Sequence, residues 1–452
     1  MNRRYNKVRA LILGLLTLHI VNTQAQLASQ TVQVHQFSLK EAIDYGSKNS
    51  VKVKNALLDL KIQEQSNRAT TSGALPQITG AASLTDYLQI PTTLIPGEFI
   101  GQPAGTFIPL QFGTQYNTYG QVTLKQVLFD GQVLVGLQAR RASLDYYRKT
   151  QEVTEQSLRV SIYKVYYQLL LSKTQTELID ANITKAKELL HNTTELFKNG
   201  YSEQLDVDKA TVQLANFESE KIQTKYNIDV GLLGLKVLLG MPIGDSLILT
   251  DTLTYDMITN ASMNDSFQYS DRRDFQLLEI NRSLNEFDIK RYRKMYIPTA
   301  SLTANYTQNY YGETLDLTKR NSWFPSSYLG LTINIPIFDG FYKDASIQKS
   351  KYTLQQTQNN MEALKISIDN DVKQAQLRFT ASLATLDYEK KNMDLAGHVY
   401  EQTRKKYEHG LGSNTEITSA QSDLTLAQKN YIDGLYNAIL AKIDYQNSIG
   451  KL

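Results

Sequence analysis

The sequence of 452 residues contains no cysteine. This absence excludes a disulfide framework, a lipid-bearing cysteine and a cysteine nucleophile. After the N-terminal leader, no stretch reaches 18 consecutive apolar residues, so the sequence predicts no transmembrane helix. If the chain crosses a membrane, it must do so with strands, because only helices and closed sheets satisfy the backbone polar groups in lipid.

Signatures of catalysis are also absent. Five histidines occur, and none has the i, i+4 spacing of a helical metal site. The chain has no Gly-rich phosphate-binding loop and no Gly-x-Ser-x-Gly nucleophile elbow. We therefore expect neither enzymatic activity nor a bound metal or cofactor.

Basic residues are in excess only because of the N-terminus. The formal net charge is +3, and residues 1–25 hold four basic and no acidic side chains. Without them the chain is nearly neutral, so we expect no nucleic-acid partner.

We predict that 1–25 is a secretory signal peptide. The alternative is a membrane anchor, but the apolar run has about 12 residues and a spanning helix needs about 20.

Proline is scarce and unevenly placed. All nine prolines lie outside the stretches 110–241 and 337–452. Proline breaks a helix interior, so both stretches can hold long uninterrupted helices. The prolines lie instead beside short segments of alternating polarity, which are typical of strands.

The chain is internally duplicated at an offset of about 210 residues. A Phe-Asp-Gly segment occurs at 129–131 and again at 338–340, and Gly200 recurs as Gly410. We predict a first structural repeat at 26–245 and a second at 246–452, each built as strand, strand, long helix, tip and returning helix.

Four segments alternate with a period of two residues, at 77–90, 116–129, 299–310 and 328–338. Their lengths suit tilted membrane strands, which have one lipid-facing and one lumenal side. The alternative is a soluble sheet with one wet face. The membrane interpretation places four side chains toward lipid, namely Leu84, Leu302, Leu331 and Ile333, and two toward the lumen, namely Thr303 and Thr332.

Four strands cannot close a barrel, since about eight are needed. Several chains must then share one barrel, and three chains would supply twelve strands. The segments between the strands of each pair, 91–115 and 311–327, are predicted as loops.

The remaining segments are predicted as helices. Segments 131–199 and 341–409 would each be roughly 100 Å long. Two returning paths would run beside them, one joining 203–239 to 271–296 and the other joining 413–449 to 38–72. A seven-residue spacing of apolar and small residues in the returning helices predicts coiled-coil seams. The segments 26–37 and 241–270 are predicted to be irregular and to form a collar at mid-height.

The paired strands, the Phe-Asp-Gly segments that lead into long helices and the Gly-containing tips resemble the TolC-type outer-membrane efflux proteins. Leu-Pro-Gln-Ile at 75–78 and Ile-Pro-Thr-Ala at 297–300 also match this family, and the resemblance covers the whole chain after the leader. It implies a mixed α/β membrane protein: a homotrimer with a shared twelve-stranded β-barrel in the outer membrane and a long coiled-coil helical barrel that crosses the periplasm.

The resemblance also implies a function and functional residues. The family forms passive outer-membrane ducts for efflux or type I secretion, energised by a periplasmic adaptor and an inner-membrane pump. The tips at Gly200, Tyr201, Gly410 and Leu411 would be the docking sites for the adaptor.

An acidic constriction is expected after the second tip, usually as two aspartates three residues apart. Here Glu416 and Ser419 occupy those positions, so the inner acid is missing. Asp206 takes the corresponding place in the first repeat and is expected to form an outer ring. The alternative is that these acids only favour the N-terminal ends of their helices.

Two other functions remain as alternatives. A trimeric coiled-coil structural or adhesive surface protein would not need the four alternating strands. A single-chain porin would need at least eight strands. The sequence does not specify the cargo, the pump or the adaptor.

Overall fold

The computed structural model describes residues 33–253, 255, 258 and 266–452. The predicted signal peptide at 1–25 therefore lies outside the described residues. Seven long or medium helices occur in the described part, as follows: α1 (Leu39–Asn49), α2 (Val51–Ser72), α3 (Gly131–Lys198), α4 (Gln204–Leu239), α5 (Arg273–Lys294), α6 (Tyr342–Glu408) and α7 (Asn414–Ser448). None of these helices combines the length and the apolar character that a membrane span requires.

Eight strands occur in the same part of the chain: β1 (Val34–Phe37), β2 (Gln77–Asp86), β3 (Thr92–Pro96), β4 (Phe107–Gln111), β5 (Tyr116–Phe129), β6 (Ser246–Leu249), β7 (Thr299–Gly312) and β8 (Trp323–Asn334). Four of them form one antiparallel sheet in the order β2-β5-β7-β8. The other four form two small sheets, β1 with β6 and β3 with β4.

The two longest helices, α3 and α6, have 68 and 67 residues. They confirm the prediction that the proline-free stretches hold long uninterrupted helices. Helix α3 packs against α4, and α6 packs against α7. The predicted seams are buried in these pairs, as shown by Phe217 and Leu235 in α4 and by Ile417 and Leu424 in α7. Gly231 allows close approach, because a Cβ atom there would lie 2.7 Å from a methyl carbon of Leu169 in α3.

The predicted pairing of the shorter helices is wrong. The C-terminal end of α4 meets the junction of α1 and α2, where a side chain on Gly240 would collide with the carbonyl oxygen of Asn49. In the same way, the end of α7 meets the start of α5, and a side chain on Gly450 would collide with the carbonyl oxygen of Asp271. Segment 203–239 thus continues toward 39–72, and 413–449 continues toward 273–294.

The predicted collar is only partly irregular. Strands β1 and β6 form a parallel ladder in which Val34 pairs with Ser246 and Phe37 with Leu249. The ladder covers a core cluster that includes Ile162 and Tyr166 of α3. Residues 26–32 and most of 254–265 lie outside the described residues.

Four other predictions of local structure need correction. Strand β8 lies at 323–334 rather than 328–338, because Pro336 cannot donate to a ladder and Trp323 extends the strand by pairing with Tyr310. The predicted strand 77–90 ends at Asp86. The predicted loop 91–115 contains the β3–β4 hairpin, and the segment 38–72 is interrupted at Ser50.

Candidate functional site: the strand faces and the helical tips

The four-stranded sheet has one apolar face. In the antiparallel register, Leu302 pairs with Leu331, and Ala300 pairs with Ile333. Leu84 pairs with Thr118, which pairs with Tyr310. Because directly paired residues project to the same side and the side alternates along each strand, Leu84, Leu302, Leu331 and Ile333 all lie on one face. Leu84, Leu331 and Ile333 are exposed in the single chain, and Leu302 is half-buried.

The opposite face of the sheet is polar. Thr303 and Thr332 lie on it, as the alternation predicts. Its neutral side chains bond to one another across the strands, and the amide of Asn305 donates to the hydroxyl of Thr123 at 2.8 Å. The structure therefore separates the residues predicted to face lipid from those predicted to face the lumen.

All four strands join their helices at the same end of the sheet. Strands β2 and β7 begin there after α2 and α5, and β5 and β8 end there before α3 and α6. At the β5–α3 junction, the carboxylate of Asp130 caps the helix by accepting from the backbone N–H of Gln132 at 2.8 Å. The sheet and the helices thus form one continuous path along the molecule.

The two helical tips have the same backbone geometry. Gly200 and Gly410 have φ angles of +78° and +70°, the left-handed region that favours glycine. The N–H of Tyr201 donates to the carbonyl of Leu196 at 2.8 Å, and the N–H of Leu411 donates to that of Lys406 at 2.9 Å. These bonds end each long helix in a Schellman motif.

The tips are exposed and lie at the same end of the molecule. Tyr201 is 82% exposed and Leu411 is 75% exposed. Beneath the tips, the hydroxyls of Thr193 in α3 and Tyr407 in α6 lie 3.1 Å apart in a buried hydrogen bond. The structure therefore brings together the four residues predicted to dock a partner, on a surface with two exposed apolar side chains.

Glu416 and Asp206, the acids predicted to line the periplasmic mouth of the duct and called the mouth acids below, have specific partners. Glu416 in the first turn of α7 forms an ion pair with Lys406 of α6, with its Oε2 2.9 Å from Nζ, and about half of each side chain is exposed. The carboxylate of Asp206 in α4 accepts from the Asn414 amide at 2.8 Å and from the Ser202 hydroxyl at 3.0 Å. Ser419 is exposed one turn further along α7.

The Asp206 contact ties the two returning helices together. Burial raises the pKa of Asp206, but the hydrogen bonds from Asn414 and Ser202 outweigh burial, so the pKa lies below its usual value. Asn414 is itself buried, which places this contact at the junction of α4 and α7. The carboxylate is therefore ionised at neutral pH and accepts a hydrogen bond that joins the starts of the two helices.

Sequence reasoning missed Asn414 and Lys406. Asn414 is the first residue of α7, directly after the capping residue Ser413, and its partner Asp206 of α4 lies 208 residues away in the chain. Lys406 and Glu416 flank Gly410 on the two arms of one helical hairpin. Opposite charges at such positions would have been a usable signal.

The sequence is similar to known outer-membrane and secretion proteins. The sequence model of the family described as "Outer membrane efflux protein" matches residues 42–241 and 270–451. The Proteases secretion protein PrtF of Dickeya chrysanthemi is 23% identical over 309 residues, covering 66% of this chain and 65% of that protein. The outer membrane protein TolC of Vibrio cholerae is 20% identical over 318 residues, covering 70% of this chain and 71% of that protein. The match to the Dickeya protein thus spans slightly less than two thirds of its length.

Solved structures show the same fold at low sequence identity. The crystal structure of CusC has a TM-score of 0.74 with 16% identity and covers 95% of this chain and 96% of its own. The outer membrane protein VceC from Vibrio cholerae has a TM-score of 0.71 with 15% identity and covers 91% of this chain and 96% of its own.

Proposed function

Because the chain belongs to the outer membrane efflux protein family, we propose that it is the outer-membrane channel of a tripartite efflux or type I secretion system. It is a passive duct that carries small molecules or polypeptides across the periplasm and the outer membrane. One observation carries this proposal: a sheet with an apolar and a polar face continues directly into two helices of 68 and 67 residues. At 1.5 Å per residue these helices are each about 100 Å long.

The duct is a homotrimer. Strands β2 and β8 are the two edges of the sheet, and successive pairing makes them antiparallel to each other. Open strand edges are not tolerated in lipid. When β8 of one copy pairs with β2 of the next, three copies close a barrel of twelve antiparallel strands, whose apolar face contacts lipid and whose polar face lines the lumen.

Exposed apolar stripes on two helices support the same assembly. Exposed apolar side chains of α6 recur every eleven residues, and this spacing keeps them on one face of the helix. They are Ile366, Leu377, Tyr388 and Val399. Side chains of α4 recur at multiples of seven residues; they are Leu205, Val212, Tyr226 and Leu233. Exposed stripes of this size mark interaction surfaces, and neighbouring copies of the chain cover them.

Export is driven by partners. A periplasmic adaptor docks on the tips around Gly200, Tyr201, Gly410 and Leu411, and an inner-membrane pump supplies the energy. The chain itself catalyses no reaction, in keeping with its lack of a phosphate-binding loop. A purely structural or adhesive role would leave the two-faced sheet without a purpose.

The mass of the detergent-solubilised complex tests the assembly. We expect a particle with three times the mass of the mature chain, measured by light scattering with the detergent contribution subtracted. We also expect the particle to form conducting pores in planar bilayers. A monomer in mild detergent would refute the shared barrel and with it the duct.

A pair of arginine substitutions tests the orientation of the strands. Leu302→Arg places a charge on the lipid-facing side and should cost about 2–4 kcal/mol if the site is near the middle of the membrane. Thr303→Arg, the matched control, places the same charge on the lumenal side. We expect the yield of membrane-inserted trimer to fall strongly for Leu302→Arg and little for Thr303→Arg. Equal losses would contradict the assignment of the faces.

A further inference from the structure

The four long strands contain only two charged side chains, Asp86 and Lys125. Asp86 is the last residue of β2, at the end of the sheet away from the helices. Lys125 lies within β5, near the helical end, and its register partners are Gln77 and Thr303. Because Thr303 lies on the polar face, Lys125 also lies on the polar face.

Lys125 has no acidic neighbour in the sheet. It is exposed, and it forms no ion pair with any residue in the described part of the chain. The residues level with Lys125 on the other three strands are uncharged. They are Gln77 on β2, Thr303 on β7 and Gly330 on β8. Asp86 lies nine positions along β2 from Gln77, which corresponds to about 30 Å.

Nearby acids outside the strands are already engaged. Asp130 caps α3 through the backbone N–H of Gln132. Asp339, at the corresponding place in the second repeat, lies 3.4 Å from the ammonium of Lys343. A neighbouring copy would bring the same strands and hence no closer acid. The charge of Lys125 is therefore uncompensated within the sheet.

We propose that three copies of Lys125 form a positively charged ring on the lumenal face of the strand barrel, and that this ring makes the barrel favour anionic solutes. The inference rests on the proposed trimeric duct and adds a determinant of cargo specificity to it. The solutes that it favours are small molecules or segments of polypeptide that carry carboxylate, sulfonate or phosphate groups.

The dimensions of the barrel make the ring effective. Twelve strands spaced about 4.8 Å apart and tilted by about 40° enclose a barrel with a backbone radius of about 12 Å. This radius is close to the screening length of about 10 Å at 0.1 M salt, so the ring acts on ions across most of the lumen. A potential of only about one kT would change the ratio of anions to cations about sevenfold.

The ring differs from the acids at the opposite end of the duct. Glu416 has a cationic partner in Lys406, and Asp206 is held by hydrogen bonds. Lys125 has neither kind of partner. Charge selection in the outer membrane is therefore assigned to the strand barrel independently of the periplasmic mouth.

Reversal potentials across a planar bilayer in a KCl gradient test the ring. Relative to the wild-type trimer, we expect Lys125→Gln to lower the anion-to-cation permeability ratio by at least about threefold, and Lys125→Glu to lower it further. The double variant Lys125→Gln/Thr303→Lys moves the charge to the paired position on the same face and should restore the wild-type ratio.

The outcomes separate this inference from the proposed function. A conducting trimer whose reversal potential is the same in all four proteins would overturn the ring and leave the duct intact. A chain that forms no trimer and no pore would overturn both. Failure of Thr303→Lys to restore selectivity would also count against the ring, because a lumenal charge at that height should act from either strand.

Discussion

Replacing Gly410 with tryptophan is expected to abolish export and to leave the trimer intact. A Cβ atom at Gly410 would meet no atom within 4 Å, so a large side chain would project into solvent from the tip. It would cover the exposed surface beside Leu411, where the proposed adaptor docks. The left-handed φ of +70° adds a local cost of about 1–2 kcal/mol for a residue other than glycine, which is small beside the packing of α6 against α7.

Asparagine at the same position is the matched control, because it tolerates the left-handed region and stays small. We expect Gly410→Asn to export nearly as well as the wild type. Export is measured in the native host as release of a fluorescent dye and as secretion of polypeptide, and trimer yield is measured in parallel. A Gly410→Trp trimer that exports at the wild-type level would show that this tip is only a helix end.

The elements that depend on local chemistry could be predicted from the sequence. Absence of proline predicts α3 and α6, because no other feature of those stretches interrupts a helix. Period-two alternation predicts β5 at its observed bounds, Tyr116–Phe129, and places Leu302 and Thr303 on opposite faces. The glycines of the tips were predictable because only a residue that favours positive φ ends a helix in this way.

Elements that depend on distant contacts could not be predicted in the same way. Both possible pairings of the shorter helices have suitable lengths, and only the collision points at Gly240 and Gly450 distinguish them. The ladder of β1 with β6 joins two strands of four residues that lie about 210 residues apart in the chain. Such short strands carry too little alternation to be recognised.

Register and partners at the candidate site have the same limitation. The apolar alternation at 328–338 continues past Asn334, whereas the ladder ends there, so the pattern alone placed β8 several residues too late. The sequence identifies Asp206 as an acid near a tip, but its partner Asn414 lies 208 residues away, and only the folded structure brings the two together. Sequence therefore predicts which residues are available at a site better than it predicts how they pair.

Removing the two mouth acids is expected to open the duct. We expect Asp206→Ala/Glu416→Ala to raise single-channel conductance several-fold in planar bilayers and to raise the anion-to-cation permeability ratio, because two negative charges are removed. Asp206 should account for most of the rise, because a hydrogen bond to a charged group contributes about 1.5–3 kcal/mol. The exposed pair of Glu416 with Lys406 contributes about 0–1 kcal/mol.

Acid should open the wild-type duct through the same contact. Burial raises the pKa of Asp206, but hydrogen bonds that include those from Asn414 and Ser202 outweigh burial, so the pKa is lowered in the folded chain. The contact therefore keeps its full strength above the usual aspartate pKa of about 4 and is lost as the pH falls through the lowered value. Conductance should stay low down to about pH 4 and rise below it.

In Asp206→Asn, which cannot ionise, the rise below about pH 4 should be absent. If Asp206→Asn shows the same acid response as the wild type, another group controls the mouth, and Asp206 serves only the N-terminal turn of its helix.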